Sequence, residues 1–196
     1  MNMALDAYSE ATDEALLVLY GNGDALAAQI LTSRLAPRVL GFASRLLGGD
    51  RAEAEDVTQE AMLRLWKQAG QWRQGEAKVT TWLYKVVSNL CTDRLRKRRS
   101  VDIDAIEEPA DDRQSAVDGL IEADRAAALQ AALMQLPDRQ RIAVSLRHLE
   151  GASNPEIAEI LDISVEAVES LTARGKRALA AALAGRREEL GYGENG

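Results

Sequence analysis

Apolar residues recur along most of the chain at three- and four-residue spacing, and no stretch keeps the alternation of a strand. The first apolar segment opens at Leu16–Leu19. Between Asp24 and Leu47, Leu26, Ile30, Leu31, Leu35, Val39, Leu40, Ala43, Leu46 and Leu47 follow helical spacing, and the run ends at Gly48-Gly49. Pro37, inside this run, is expected to begin or kink a helix. Asp50 can cap the next segment, predicted from about Ala52 to Ala69 and stopped at Gly70. A loop, Gly70 to Lys78, leads into a helix over Thr80–Arg99. The pattern predicts a helical domain over 14–99.

A second helical unit is predicted over 123–187, with breaks at Leu136-Pro137-Asp138, Glu150-Gly151-Ala152 and Asp162-Ile163-Ser164. Between the units, residues 100–122 hold Pro109 and few large apolar side chains. Such a segment buries too little surface to offset the entropy of ordering, so it is expected to be a flexible acidic linker. The fold class expected is all-α: two small helical domains joined by that linker.

Charge sharpens the boundary. The formal net charge is −7, yet residues 101–124 carry nine acids against Arg113 alone, so the rest of the chain is close to neutral. Immediately before lies the densest basic run, Arg94, Arg96, Lys97, Arg98 and Arg99, opposed by Asp93. A polyanion-binding element followed by a solvated tether would look like this. Taken alone, the charge favours the plainer reading of a charged helix end and an exposed loop.

Several function classes drop out. Cys91 is the one cysteine and His148 the one histidine, which removes disulfide frameworks, zinc clusters and most His-centred triads. No phosphate loop, dinucleotide turn or nucleophile elbow occurs. No metal, no cofactor and no enzymatic activity are expected. The first twelve residues have no basic leader region, and no apolar run approaches the ~20 residues of a membrane span. A cytoplasmic protein without membrane contact of its own is expected.

Three constellations remain. In the first, Ser153 and Glu156 form a capping-box pattern with Pro155 in the first turn, and Ile157, Ala158 and Leu161 make a short apolar face. Asp162-Ile163-Ser164 is then a tight turn, and Ser164 caps a helix carrying Val168, Leu171 and Leu179. A small inward residue at Ala158 and an apolar anchor at Val168 are what a helix-turn-helix requires. A purely structural helical hairpin is the alternative. In the second, Asp56, Gln59 and Glu60 share one face of the helix that also carries Val57, Ala61, Leu65 and Trp66. A solvated face explains this without a function. In the third, Lys85, Asn89 and Asp93 line one side of the Thr80–Arg99 helix, where cations can track phosphates and Asn and Asp can read bases. Trp82 and Tyr84 fit a core better than a stacking platform. Cys91 is expected to pack as a small hydrophobe, and His148 to be structural.

Together these segments resemble the extracytoplasmic-function (ECF) sigma factors, the minimal two-domain bacterial sigma factors. The resemblance spans about residues 14–185. It rests on the order and spacing of Ala54-Glu55-Asp56-Val57-Thr58-Gln59-Glu60-Ala61 with Leu65-Trp66, Thr81-Trp82-Leu83-Tyr84, Leu136-Pro137-Asp138-Arg139-Gln140-Arg141, Leu146–Gly151 and Glu156–Leu161. It implies a role for each constellation. Asp56, Gln59 and Glu60 match the surface that docks on the β′ clamp helices of core RNA polymerase, and the β subunit is a further expected contact. Lys85, Asn89 and Asp93, followed by Arg96, Lys97, Arg98 and Arg99, match the helix that opens and reads the minus-ten promoter element. The helix-turn-helix matches the reader of the minus-thirty-five element, with Ser164, Glu166, Ser170, Arg174, Lys176 and Arg177 as contacts. Here the chain departs from the family pattern: Glu169 stands where a basic residue is frequent, and Leu171 where Arg is. An anti-sigma factor is expected as a further partner. Two rival readings are a free-standing helix-turn-helix regulator and a sigma-like decoy that binds an anti-sigma factor and not DNA.

Overall fold

Helices begin where the sequence supplies an oxygen for the amides that a first turn leaves unpaired. Thr12 accepts from the Ala15 amide at 3.2 Å and opens α1, Asp13–Gly21. Asp24 Oδ1 takes the Leu26 and Ala27 amides at 3.0 and 3.2 Å and opens α2, Ala25–Leu46. Asp50 accepts from Glu53 at 3.0 Å and starts α3, Arg51–Gln68, which tightens into a 3-10 turn over Ala69–Gln71. Next come α4, Val79–Val101, and α5, Val117–Met134. The last three are α6, Asp138–His148, α7, Asn154–Leu161, and α8, Val165–Ala184. This computed structural model describes residues 8, 10–73, 75, 77–101 and 117–184. Among the described residues every regular element is a helix.

Pro37 does not begin a helix; it lies inside α2. The reason is the stripe on either side of it, where Leu31, Leu35, Val39, Phe42, Ala43 and Leu46 are all buried. Each large apolar side chain so buried contributes about 1.5–3 kcal/mol, and together these exceed the roughly 3 kcal/mol that an internal proline costs.

The segment expected as linker is helical at both margins, since α4 runs to Val101 and α5 begins at Val117. What lies between falls outside the described residues. The two helical domains expected are present, and they pack against each other. α1–α4 form one bundle, closed by Leu16, Leu17, Phe42, Leu65, Leu83 and Val87. α6–α8 form the second domain and pack on the first. Ile142, Ala143, Leu146, Ile157 and Val168 belong to the same continuous core, with α7 packed along α4 and α6 against α2. A smaller satellite core of Ala132, Leu133, Leu136, Val144 and Leu179 joins α5 to α6 and α8.

Candidate nucleic-acid interface

Helix α3 buries Ala54, Val57, Ala61 and Leu65 against the bundle, which turns Asp56, Gln59 and Glu60 outward as their spacing predicts. Asp56 and Gln59 are exposed and Glu60 half-exposed. Asp56 Oδ2 stands 3.9 Å from Arg94 Nη1, and Glu60 accepts from Arg64 one turn on. Leu63 also lies on this face and is 53% exposed, a large apolar side chain left in water. The sequence reasoning missed it. The signal was there: Leu63 falls off the Val57–Ala61–Leu65 stripe and one heptad after Asp56.

Helix α4 buries Val79, Leu83, Tyr84, Val87, Cys91 and Leu95, so Lys85, Asn89 and Asp93 share an outer face, the first half-exposed and the others exposed. The two aromatics belong to packing, as expected. Tyr84 is buried edge-on against Phe42 at 5.0 Å between centroids, and Trp82 meets Trp72 at 6.3 Å. Cys91 is 1% exposed, and burial pushes its thiol up to about 12. It is a core residue.

The basic run at the end of α4 divides. Arg96, with a side chain 81% exposed, and Lys97 face solvent, and Arg96 reaches Asp93 at 3.2 Å. Arg98 instead clamps the start of α3, 2.5 Å from Asp50 and 2.9 Å from Glu53. The Arg98 charge helps hold the Asp50 carboxyl low, after the larger effect of the Glu53 amide. Arg99 pairs with Asp138 at the start of α6. Of the four cations expected to act alike, Arg98 and Arg99 are ion-paired to other helices, and Arg96, Lys97 and Arg99 keep exposed side chains.

The helix-turn-helix forms as its capping pattern predicts. Ser153 and Glu156 make a full capping box. Asp162 takes the left-handed conformation, φ 54° and ψ 55°, that turns the chain from α7 to α8. Ser164 Oγ then accepts from Ala167 at 3.2 Å. On α8, Glu166, Arg174 and Arg177 are exposed and Ser170 half-exposed along one side, with Arg174 donating to Ser170 Oγ at 2.5 Å. Lys176 lies off this side. It lines an apolar cleft with Leu133, Val144, His148 and Leu179, where partial burial and the cations Lys176 and Arg147 hold the imidazole below its ordinary range. The two departures also separate: Glu169 is exposed, whereas Leu171 packs against the core.

These surfaces offer ion pairing, hydrogen bonding and phosphate contact. Among the described residues no group of three or more His, Cys, Asp or Glu could hold a metal ion, and no helix is long and apolar enough to cross a membrane.

Residues 31–101 match the family described as Sigma-70 region 2, and residues 126–179 match Sigma-70, region 4. The chain is 35% identical over 173 residues to the ECF RNA polymerase sigma factor SigM of Mycobacterium tuberculosis, covering 87% of this chain and 84% of that protein. Against the RNA polymerase sigma-H factor of Pseudomonas aeruginosa it is 30% identical, covering 89% and 95%. Among solved structures it is similar to CnrH in complex with the cytosolic domain of CnrY, with a TM-score of 0.66 and 25% identity over 88% of this chain and 97% of that one.

Proposed function

Because the chain belongs to the ECF family of RNA polymerase sigma factors, we propose that it docks on core polymerase through the α3 face and directs it to promoters. In this reading α4 reads the minus-ten element and α8 the minus-thirty-five element. The α3 face carries it: Asp56, Gln59, Glu60 and Leu63 point to solvent while Ala54, Val57, Ala61 and Leu65 fill the core. An exposed leucine ringed by polar groups fits a protein interface, its apolar centre desolvated and its rim polar. Arg96 and Lys97 supply phosphate contacts, and Lys85, Asn89 and Asp93 meet the opened strand. Exposed Glu166, Ser170, Arg174 and Arg177, with Ser164 at the helix start, meet the major groove. This role asks no catalytic residue, metal or cofactor of the chain. Its targets, core polymerase and promoter DNA, place it in the cytoplasm, serving a stress or envelope-response regulon.

An anti-sigma factor is the expected inhibitor, as the resemblance to ECF sigma factors implies; the similar CnrH was itself solved with a protein partner, the cytosolic domain of CnrY. Core binding is the decisive measurement. Replacing Asp56, Gln59, Glu60 and Leu63 by Ala opens no cavity, so the circular dichroism should be unchanged. Affinity for core polymerase should fall by about 2–5 kcal/mol, as for interfacial charge pairs left half-made. Unchanged affinity would defeat the assignment, and a wild-type chain that binds promoter DNA but not core would return the free-standing regulator.

A further inference from the structure

Val168, Gly175 and Leu179 anchor α8, which leaves Glu166, Glu169 and Ala173, at three- and four-residue spacing, exposed along the outer side of its first half. The two acids differ in what surrounds them. The Glu166 carboxyl takes hydrogen bonds from its own amide and from the Ser164 hydroxyl, which hold it below its ordinary range. The nearby Ser170 is occupied as well: Arg174 donates to its Oγ from Nε at 3.2 Å and from Nη2 at 2.5 Å. Among the described residues nothing donates to the Glu169 carboxylate and no cation pairs with it.

In the reading proposed above, this side of α8 enters the major groove, where the first turns of a recognition helix meet base edges. An unpaired carboxylate carried there loses water and stands near phosphates of its own sign. It weakens binding unless a base supplies a hydrogen bond for it to accept. Two bases present an amine in the major groove, cytosine at N4 and adenine at N6. Adenine sets its N7 acceptor beside the amine, and that lone pair repels the second carboxylate oxygen. Cytosine offers N4 with no acceptor on its own edge. Guanine and thymine present only acceptors there, to a group with no proton to give. The chemistry of the carboxylate therefore chooses the base.

We propose that Glu169 is a specificity-determining residue: its carboxylate accepts from the N4 amine of a cytosine in the minus-thirty-five element and selects C·G at that one base pair. This rests on the sigma-factor reading above, with α8 as the reading helix. Arg174 and Arg177, exposed further along α8, supply the phosphate contacts that offset an acid in the groove. A basic residue in the place of Glu169 would favour guanine. The acid reverses that choice, so it also keeps the chain off promoters that a basic residue would select.

The test uses the full chain with core polymerase on a promoter library with a fixed minus-ten element and a randomised minus-thirty-five region, the bound members being sequenced. The wild type should select cytosine at one position by roughly five- to hundredfold, the range of a single mismatched pair. Glu169→Ala should flatten the preference at that position and leave the neighbouring positions as they were. Glu169→Gln carries a donor beside its acceptor and should admit adenine there, where glutamine bonds N6 and N7 together. Because no phosphate contact is removed, neither variant should make the slope of log affinity against log salt shallower. Glu169 is exposed, so both should fold, with the helicity of the wild type. A wild type with no cytosine preference in this region, or one kept at full strength in Glu169→Ala, would overturn the proposal and leave the sigma-factor reading standing. A loss in Glu169→Ala that is uniform over all sequences would do the same. A wild type that recovers no library member with core polymerase would instead overturn the sigma-factor reading, and the role of Glu169 with it.

Discussion

Gly175 of α8 lies directly over Val144 of α6: a Cβ built on the glycine would stand 2.4 Å from Val144 Cγ2 and 3.5 Å from the Gln140 carbonyl. The absent side chain is what lets the two helices approach, and it ties the helix proposed to read DNA to the body of the second half. Gly175→Ala should therefore destabilise. The gain in helix propensity is about 1 kcal/mol, while overpacking a closed contact costs typically 1–3 kcal/mol, and a β-branched valine has little freedom to yield. A net loss of up to about 2 kcal/mol is expected in thermal or urea unfolding. Equal or higher stability for the alanine variant would show that α6 and α8 can move apart freely.

Asp162 sets the turn of the helix-turn-helix at φ 54°. Asp tolerates the left-handed region better than most residues, but glycine does so without a Cβ penalty. Asp162→Gly should leave stability unchanged or raise it by about 0.5–1 kcal/mol, the smaller end if the greater freedom of the unfolded glycine offsets the relief. Asp162→Val should lower it by more than that and, if α8 reads the minus-thirty-five element as proposed, weaken those contacts. Unfolding midpoints for the pair decide the matter. A valine variant as stable as wild type would mean that the turn relaxes to another conformation.

Local chemistry was legible in the sequence wherever a short-range rule decides the outcome. Asp50, Ser153, Glu156 and Ser164 cap the helices that the pattern assigns them, and the apolar stripe of α3 leaves Asp56 and Gln59 outside. The placement of Pro37 was not legible, because its position depends on how much apolar surface the whole of α2 buries. Nor was the division of the basic run. Arg98 reaches Asp50 across 48 residues of sequence, and Arg99 reaches Asp138 across 39, separations that no window of periodicity can see. The docking of α6–α7 on α2 and α4 hides for the same reason. Glu150 reads as a polar turn residue until Arg45 and Tyr84 arrive from the other half.

That division of the basic run makes a testable split. Arg96 and Lys97 should behave as phosphate contacts, each removing about 0.7–0.9 from the slope of log affinity against log salt when replaced by Ala, alike on all promoters. Arg98→Ala should instead act on folding, by about 0.5–1 kcal/mol. It strips the cation from the Asp50 cap and from Glu53, at a site about a third exposed where solvent screens the pair. Salt titrations of promoter binding, beside unfolding curves, separate the two. Arg98→Ala with unaltered stability and a reduced salt slope would return it to the DNA-facing set.

Acid should dissolve one of the contacts between the two halves. The Lys78 hydrogen bond and charge, with the Ser153 hydroxyl and amide, hold the Glu156 carboxyl down at about 2 against an ordinary 4.5. A carboxylate whose folded value is depressed binds fewer protons in the folded state. Its contribution is therefore complete above the unfolded value and is lost as pH falls from about 4.5 through about 2. Because Lys78 precedes α4 and Glu156 lies in α7, part of what is lost is adhesion between the halves. Part is the capping box of α7. Lys78→Met removes the first and spares the second, so this variant should lose less stability across that pH window than wild type. Unfolding free energies measured at intervals from pH 5 to pH 2 give the two slopes. Identical slopes would place the whole acid response in the capping box and none in the contact between the halves.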